Sequence, residues 1–389
     1  MDFRSDIIGI HLSPTQRSCV NVRNKFMRCD MENVLVNRAN QGNRFGVLFL
    51  FLLVFLTGAA LLITTSLAEA EEKPARHDIL LQGDGTATPE GSEDSEVDAV
   101  PAPTMQPFLQ SDLQIISGNV QRPNGIFWHE GFLYTSCAGD FTIYRIQDTT
   151  GETTTYIAGV QNVHMLYVAP INNSINIWAA DFQRNAIVSI NTSQTPARVD
   201  LAAELASPWG IVALDEESFL VTQLRSDDVI HVSRDAGPVD VVARGLRNPT
   251  GIAVDENFVY VANNGSARRA IEWFEYDPNS VVEEEDLQPL VSGLQSATNL
   301  VMGPDNLLYF AYSLGTRGIV GRVDPQACRE QGGCTNVDVE IVLWSELAAP
   351  LAGLTISPDM RLFIHTMFGS EIYWVQLPTD TLEVASETE

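Results

Sequence analysis

The chain has 389 residues, of which 45% are apolar and 19% charged, and a formal net charge of −27. That is enough apolar material for a sizeable core and, by length, for two or three ordinary domains. The acidic balance excludes nucleic acid and anionic lipid surfaces as docking partners, because both need a basic footprint; it fits solubility or a saline habitat instead.

Residues 1–44 are polar, with seven basic side chains against four acidic ones. Residues 45–67, opening at Phe45 and closing at Leu67, carry no charge and are long enough to span a bilayer. A basic flank precedes the run and an acidic one follows, so the N-terminus is expected in the cytoplasm and everything after the run outside it. Two readings stay open. In one, the run is an uncleaved transmembrane signal anchor that tethers the protein to the membrane. In the other, it is a signal peptide cut near the small-x-small motif Ala68-Glu69-Ala70, and the protein is secreted. The long segment ahead of the run speaks for the anchor, unless translation starts at Met31. Residues 68–106 are rich in Glu, Asp, Pro, Gly, Ser and Thr. Such a composition cannot bury enough surface to offset its ordering entropy, so a disordered acidic linker is expected.

One pattern then repeats across residues 107–378. Its clearest copy is RNPTGIAVDENFVYVANNG at 247–265: a Pro-x-Gly opening, a short apolar strand, a tight acidic turn and a second strand. Alternating apolar runs joined by turn residues predict a hairpin. Copies open at Pro123, Val163, Pro208, Pro249, Ala297 and Leu351, roughly 40 to 55 residues apart, which is a propeller-blade period. A third apolar run follows each hairpin (FTIYRI, AIVSI, DVIHVS, AIEWFEY, GIVGRV, EIYWVQ), and a fourth follows the first five (TTTYIAG, ARVDLAA, PVDVVAR, LQPLVSG, VEIVLW). Four short strands per unit and six units predict an all-β, six-bladed β-propeller. The last unit lacks its fourth strand; an unpaired DLQIIS lies ahead of the first. The N-terminal strand is therefore expected to close the last blade, which leaves no open edge between the chain's two ends. Residues 379–389 form an acidic tail, and the propeller is expected as a monomer.

Of five cysteines, Cys19 and Cys29 precede the apolar run and Cys137 ends a second strand, where it is expected as a small buried apolar group. Cys328 and Cys334 share the loop ACREQGGCTN, which predicts a loop disulfide in an exported domain. A metal site there lacks a second pair of ligands.

Propeller connectivity places every Pro-x-Gly opening and every second-strand end around one mouth of the central channel, and the hairpin turns on the opposite face. The mouth is the expected ligand site. Two rings of side chains follow from the register. The residue ahead of each glycine position gives Asn124, His164, Trp209, Thr250, Thr298 and Ala352; the second-strand ends give Cys137, Asp181, Gln223, Asn263, Tyr312 and Thr366. Polar and aromatic groups so placed can hydrogen-bond or stack on a small ligand, or they can cap strand ends and hold channel water. His164 and Asp181 share a blade, and a His–carboxylate pair can act as a general base, but no nucleophile accompanies them. No catalytic residue is assigned; GxSxG, HExxH, P-loop and GxGxxG motifs are absent from the sequence.

The copies resemble NHL repeats, whose unit joins a Pro-x-Gly-Ile-Ala-Val-Asp run to a Val-Tyr-Val-Ala-Asp/Asn run. NPTGIAVDENFVYVANN matches well, PWGIVALDEESFLVTQ fairly and ATNLVMGPDNLLYFAY loosely. The resemblance extends to the broader six-bladed group of gluconolactonase/senescence-marker-protein, paraoxonase and strictosidine synthase-like proteins. It implies the fold; it does not choose a function. Catalytic members of that group hold calcium or a similar divalent cation at the mouth with a Glu, amides and an Asp. Here only Asn124, Asp181 and Asn263 could serve, one carboxylate where tight binding of a hard cation wants more. The expectation is thus an extracytoplasmic, membrane-tethered binding or scaffold module without a cofactor, taking a small molecule, glycan or protein at the mouth. The alternative is a metal-dependent hydrolase of the lactonase or esterase type.

Overall fold

The computed structural model describes residues 106–379. The polar N-terminal segment with Cys19 and Cys29, the apolar run at 45–67, the cleavage motif at Ala70, nearly all of the linker and the tail from 380 lie outside the described residues. Among the described residues no helix is long and apolar enough to cross a membrane.

Six antiparallel sheets form the blades. Their inner strands are Pro123–His129, Val163–Ile171, Pro208–Ala213, Pro249–Asp255, Leu300–Met302 and Leu351–Ile356, and these neighbour one another in a ring. The hairpins form where the sequence places turn residues that tolerate positive φ, as at Glu130-Gly131 (45° and 80°) and Asn172-Asn173 (48° and 64°). Consecutive positive-φ residues give a turn whose twist matches the strands it joins. The loosest sequence copy, at Ala297, gives the shortest inner strand, only Leu300–Met302. Closure is as the repeat count predicts: Gln114–Ser117 pairs with Ile372–Gln376 as the outer strand of the last blade, with Gln114 opposite Trp374.

The Pro-x-Gly opening is a joint between blades. In the third blade Pro208 pairs with Gln223 and the next partners are Ile211 and Val221, so the inner strand carries one extra residue; the fourth blade repeats this between Pro249 and Ile252. This bulge turns the glycine toward the next blade. A Cβ on Gly210 would lie 2.3 Å from the Thr250 carbonyl oxygen, and one on Gly251 2.6 Å from that of Thr298. Only glycine admits the neighbouring backbone so closely. A hydroxyl completes the joint: Thr222 Oγ1 accepts the Gly210 N–H (2.8 Å) and donates to the Thr250 carbonyl (2.7 Å). Ser136 does the same between Gly125 (3.0 Å) and Val163 (2.7 Å).

Apolar side chains fill the seams in strand alternation. In the fifth blade Leu308 and Phe310 face the fourth, whereas Tyr309 and Ala311 face the sixth. Leu133 and Ile146 meet Phe363 and Ile372 where the ring closes. That seam also buries an ion pair: Arg361 Nη2 lies 2.7 Å from Asp148 Oδ2, and the same carboxylate accepts the Trp128 indole N–H (2.6 Å).

Two short parallel strands extend the blades beyond what the repeat predicts. Phe108–Leu109 joins the outer strand of the fifth blade, Glu340–Ala348. Cys334–Thr335 joins that of the fourth, Gln288–Ser292. The segment bearing Cys334 opens with a helix, Pro325–Glu330, capped by the Asp324 carboxylate, which accepts the Ala327 N–H (3.0 Å). Cys328 and Cys334 are disulfide-bonded across it. The fifth blade thereby lays a strap along the edge of the fourth.

Candidate functional site

The six inner strands enclose a cavity of about 230 Å³. Its wall takes Ile126, Leu166, Ile211, Ile252, Leu300 and Leu354 from successive blades, with no charged side chain. The one aliphatic hydroxyl, Thr355 Oγ1, already accepts the Trp128 N–H (3.2 Å). The channel below the mouth is apolar because the residues after each glycine position are the β-branched and leucine residues that pack an inner strand.

At the mouth the second and third blades build an aromatic platform. The His164 ring lies flat on Trp209, centroids 3.4 Å apart and planes 8° from parallel. Phe182 closes one side, edge-on to both His164 (5.4 Å, 87°) and Trp209 (5.7 Å, 86°). Trp209 and Phe182 keep part of their surface in solvent. Burial alone pushes the His164 imidazole down to about 3; it is neutral at physiological pH, so the platform carries no charge. Beside it the Asn124 amide donates to Asn162 Oδ1 (2.7 Å), linking the first blade to the second.

The His164–Asp181 pairing considered from sequence is not formed. Asp181 is fully buried, and its carboxylate accepts the backbone N–H groups of Arg184 (3.1 Å) and Gln161 (3.4 Å). It ties two loops together while His164 turns toward Trp209. A neutral imidazole with so low a pKa is also a poor base near neutrality.

The remaining polar ring positions are engaged with protein partners, some local and some in the next blade. Gln223 accepts the Ala206 N–H (2.6 Å) and donates to Asp228 (2.8 Å). Asn263 accepts the Arg247 N–H (2.9 Å) and donates to the Arg269 carbonyl (2.8 Å) and Glu272 (2.7 Å). Thr250 donates to the Ala297 carbonyl (3.1 Å) and Thr298 to that of Leu351 (3.1 Å), each reaching the next blade. Thr366 Oγ1 accepts the Gly369 N–H (3.0 Å). Tyr312 is nearly buried in the seam between the fourth and fifth blades, and burial pushes its hydroxyl up to about 12. Cys137 is a buried free thiol, likewise pushed up to about 12 chiefly by burial.

The candidate cation ligands do not fit a hard divalent ion. Asp181 and Asn263 spend their side-chain oxygens on backbone N–H groups, which leaves the amide oxygen of Asn124 as the one ligand atom among the three, and they come from three blades. Among the described residues no group of three or more His, Cys, Asp or Glu side chains is placed to hold a metal. Oxygen ligands from several directions at one point are what such an ion requires.

Sequence reasoning missed three features. Phe182 is the first residue past its second strand, one position outside the ring that was read. Mouth-face turns expose Phe141 (43%), Leu314 (47%) and Phe368 (64%). His365 is completely buried, with Nε2 unpartnered beside Gly353; it takes the position that Ser136 and Thr222 hold in their blades.

No family model matches the chain, and no curated protein matches it. Among solved structures, a gluconolactonase from Xanthomonas campestris superposes with a TM-score of 0.53 at 16% identity, over 68% of this chain and 89% of that one. A virginiamycin B lyase from Staphylococcus aureus gives 0.44 at 15% identity, over 69% and 89%. A chain of the nidogen–laminin complex gives 0.41 at 19%, over 51% and 74%. The first likeness establishes the propeller architecture shared with gluconolactonase-like proteins and, at that identity, the fold alone; the other two are too distant to argue from.

Proposed function

We propose that this propeller is a binding module, held outside the cytoplasm, that takes a small neutral ligand on the aromatic platform at its channel mouth. The observation that carries this reading is the His164–Trp209 stack, flanked by Phe182 and partly open to solvent. A flat, uncharged aromatic surface binds the apolar face of a sugar or a planar ring by stacking and area burial. Beside it the half-buried Asn162 amide, whose oxygen is held by the Asn124 N–H, offers a polar contact that orients a ligand. The exposed turn residues Phe141, Leu314 and Phe368 widen the same face.

A lactonase- or esterase-type hydrolase is the weaker reading. It needs a cation cage that the donor set at the mouth does not supply, and a base that His164 does not make. Tryptophan fluorescence separates the two. Titration with neutral monosaccharides and aromatic lactones is expected to change the emission of the wild type and not that of Trp209→Ala, with no ligand turnover. Turnover that disappears with a chelator would overturn the binding reading; so would an emission change that persists in Trp209→Ala.

A further inference from the structure

We propose that the ligand of this site is an amphiphile whose unbranched alkyl tail, of about seven or eight carbons, lies in the apolar channel beneath the aromatic platform. The inference rests on the binding reading above and names the chemistry of its ligand.

Platform and cavity are consecutive along the same two strands. His164 is followed directly by Met165 and Leu166, and Trp209 stands two positions before Ile211; all three of those apolar residues line the cavity. At about 3.3 Å per strand residue, a head group on the rings sits one or two strand residues, about 3–7 Å, above the apolar wall. Every blade contributes an aliphatic side chain to that wall, and Met165 and Met302 add flexible thioethers that adapt to a chain. A propeller ring leaves a channel along its axis; what is particular to this one is that every blade walls it with an apolar side chain. About 230 Å³ stays open, and at about 30 Å³ per small group that is room for seven or eight methylenes. Charge selects the head. Charged side chains are absent from the lining and the imidazole above it is neutral, so an ionic head would lose hydration without gaining a partner. The inner strands are also sheet edges, whose backbone N–H and C=O groups can take the polar atoms nearest the head.

The test is a homologous series of n-alkyl glucosides, butyl to decyl, below their micelle concentrations. Calorimetry would follow binding to the full chain in lipid nanodiscs, with empty nanodiscs as the partition control. Affinity is expected to rise about fourfold per methylene up to heptyl or octyl and then level off. Ile252→Trp, on the wall contributed by the blade beside the platform, is expected to bring the levelling point down by about two carbons; Val212→Phe serves as a second filling variant if the first does not fold. A flat series overturns the tail while leaving the binding reading intact. A rise that continues through decyl and ignores both variants also overturns it, since that is partition. No binding at any length overturns the binding reading and the inference together.

Discussion

Replacing Gly210 by alanine tests the blade joint directly. The added methyl carbon would lie 2.3 Å from the Thr250 carbonyl oxygen, 2.9 Å from Thr222 Oγ1 and 3.0 Å from Ile252 Cγ2. None of these can retreat cheaply. The hydroxyl is held by the Gly210 N–H and by the Thr250 carbonyl it donates to, and the carbonyl belongs to the bulge of the next blade. Relief therefore takes about 1 Å of backbone movement and loosens that hydrogen-bonded bridge. Overpacking costs about 1–3 kcal/mol and a lost buried hydrogen bond about 1 kcal/mol more. The smaller unfolded-state entropy of alanine offsets up to about 1 kcal/mol of this. The net expectation is a loss of about 2–3 kcal/mol, or roughly 5–10 °C in Tm for a domain of this size. Urea midpoints and calorimetric Tm would measure it against Gly118→Ala, where the new carbon meets nothing within 4 Å and stability should hold or rise slightly. A Gly210→Ala midpoint within about 0.5 kcal/mol of the wild type, or an equal fall in both variants, would refute the joint.

Three further outcomes follow. Arg361→Ala should cost about 3–5 kcal/mol, because it strands the buried Asp148 carboxylate at the closing seam, whereas Arg184→Ala, which removes a partly exposed pair with Asp200, should cost about 1 kcal/mol at most; denaturant midpoints compare them. Burial holds the His365 imidazole near 4 in the folded state, against about 6.5 unfolded, so the unfolded chain takes up the proton first. Its contribution is intact above pH 6.5, falls as the pH drops from 6.5 to 4, and amounts to about 3 kcal/mol in all. The slope of urea midpoint against pH across that window should flatten in His365→Asn, and an unchanged slope would remove His365 as its source. Replacing both Cys328 and Cys334 by alanine should cost about 2 kcal/mol, the loop-closure entropy of so short a loop, and hydrogen exchange at Thr335 should rise as its strand leaves the fourth blade.

The repeated hairpin was legible because it is local. Alternation, turn residues and a recurring Pro-x-Gly recorded each blade's first two strands, and counting strands at the two ends recorded the closure. The same local grammar placed one polar or aromatic side chain per blade at the mouth. It could not say which of them would remain available. Thr250 and Thr298 reach carbonyls of the next blade, Gln223 and Asn263 satisfy loops, and Asp181 ties two turns while His164 stacks on Trp209. The threonine contacts and the His164–Trp209 stack are set by radial packing, which joins residues about 40 or more positions apart, and the others by how the entry loops fold back on their own strands. The short parallel strands at Phe108 and Cys334 escaped notice for a related reason: two residues carry no period to read. The sequence by itself determined the six blades, the ring and the ring's closure, because those follow from local periodicity and edge pairing. Tertiary structure alone decided which mouth residues are fasteners and which form a surface, and that the channel beneath them is apolar and partly empty, because a side chain's partners depend on what the neighbouring blade brings against it.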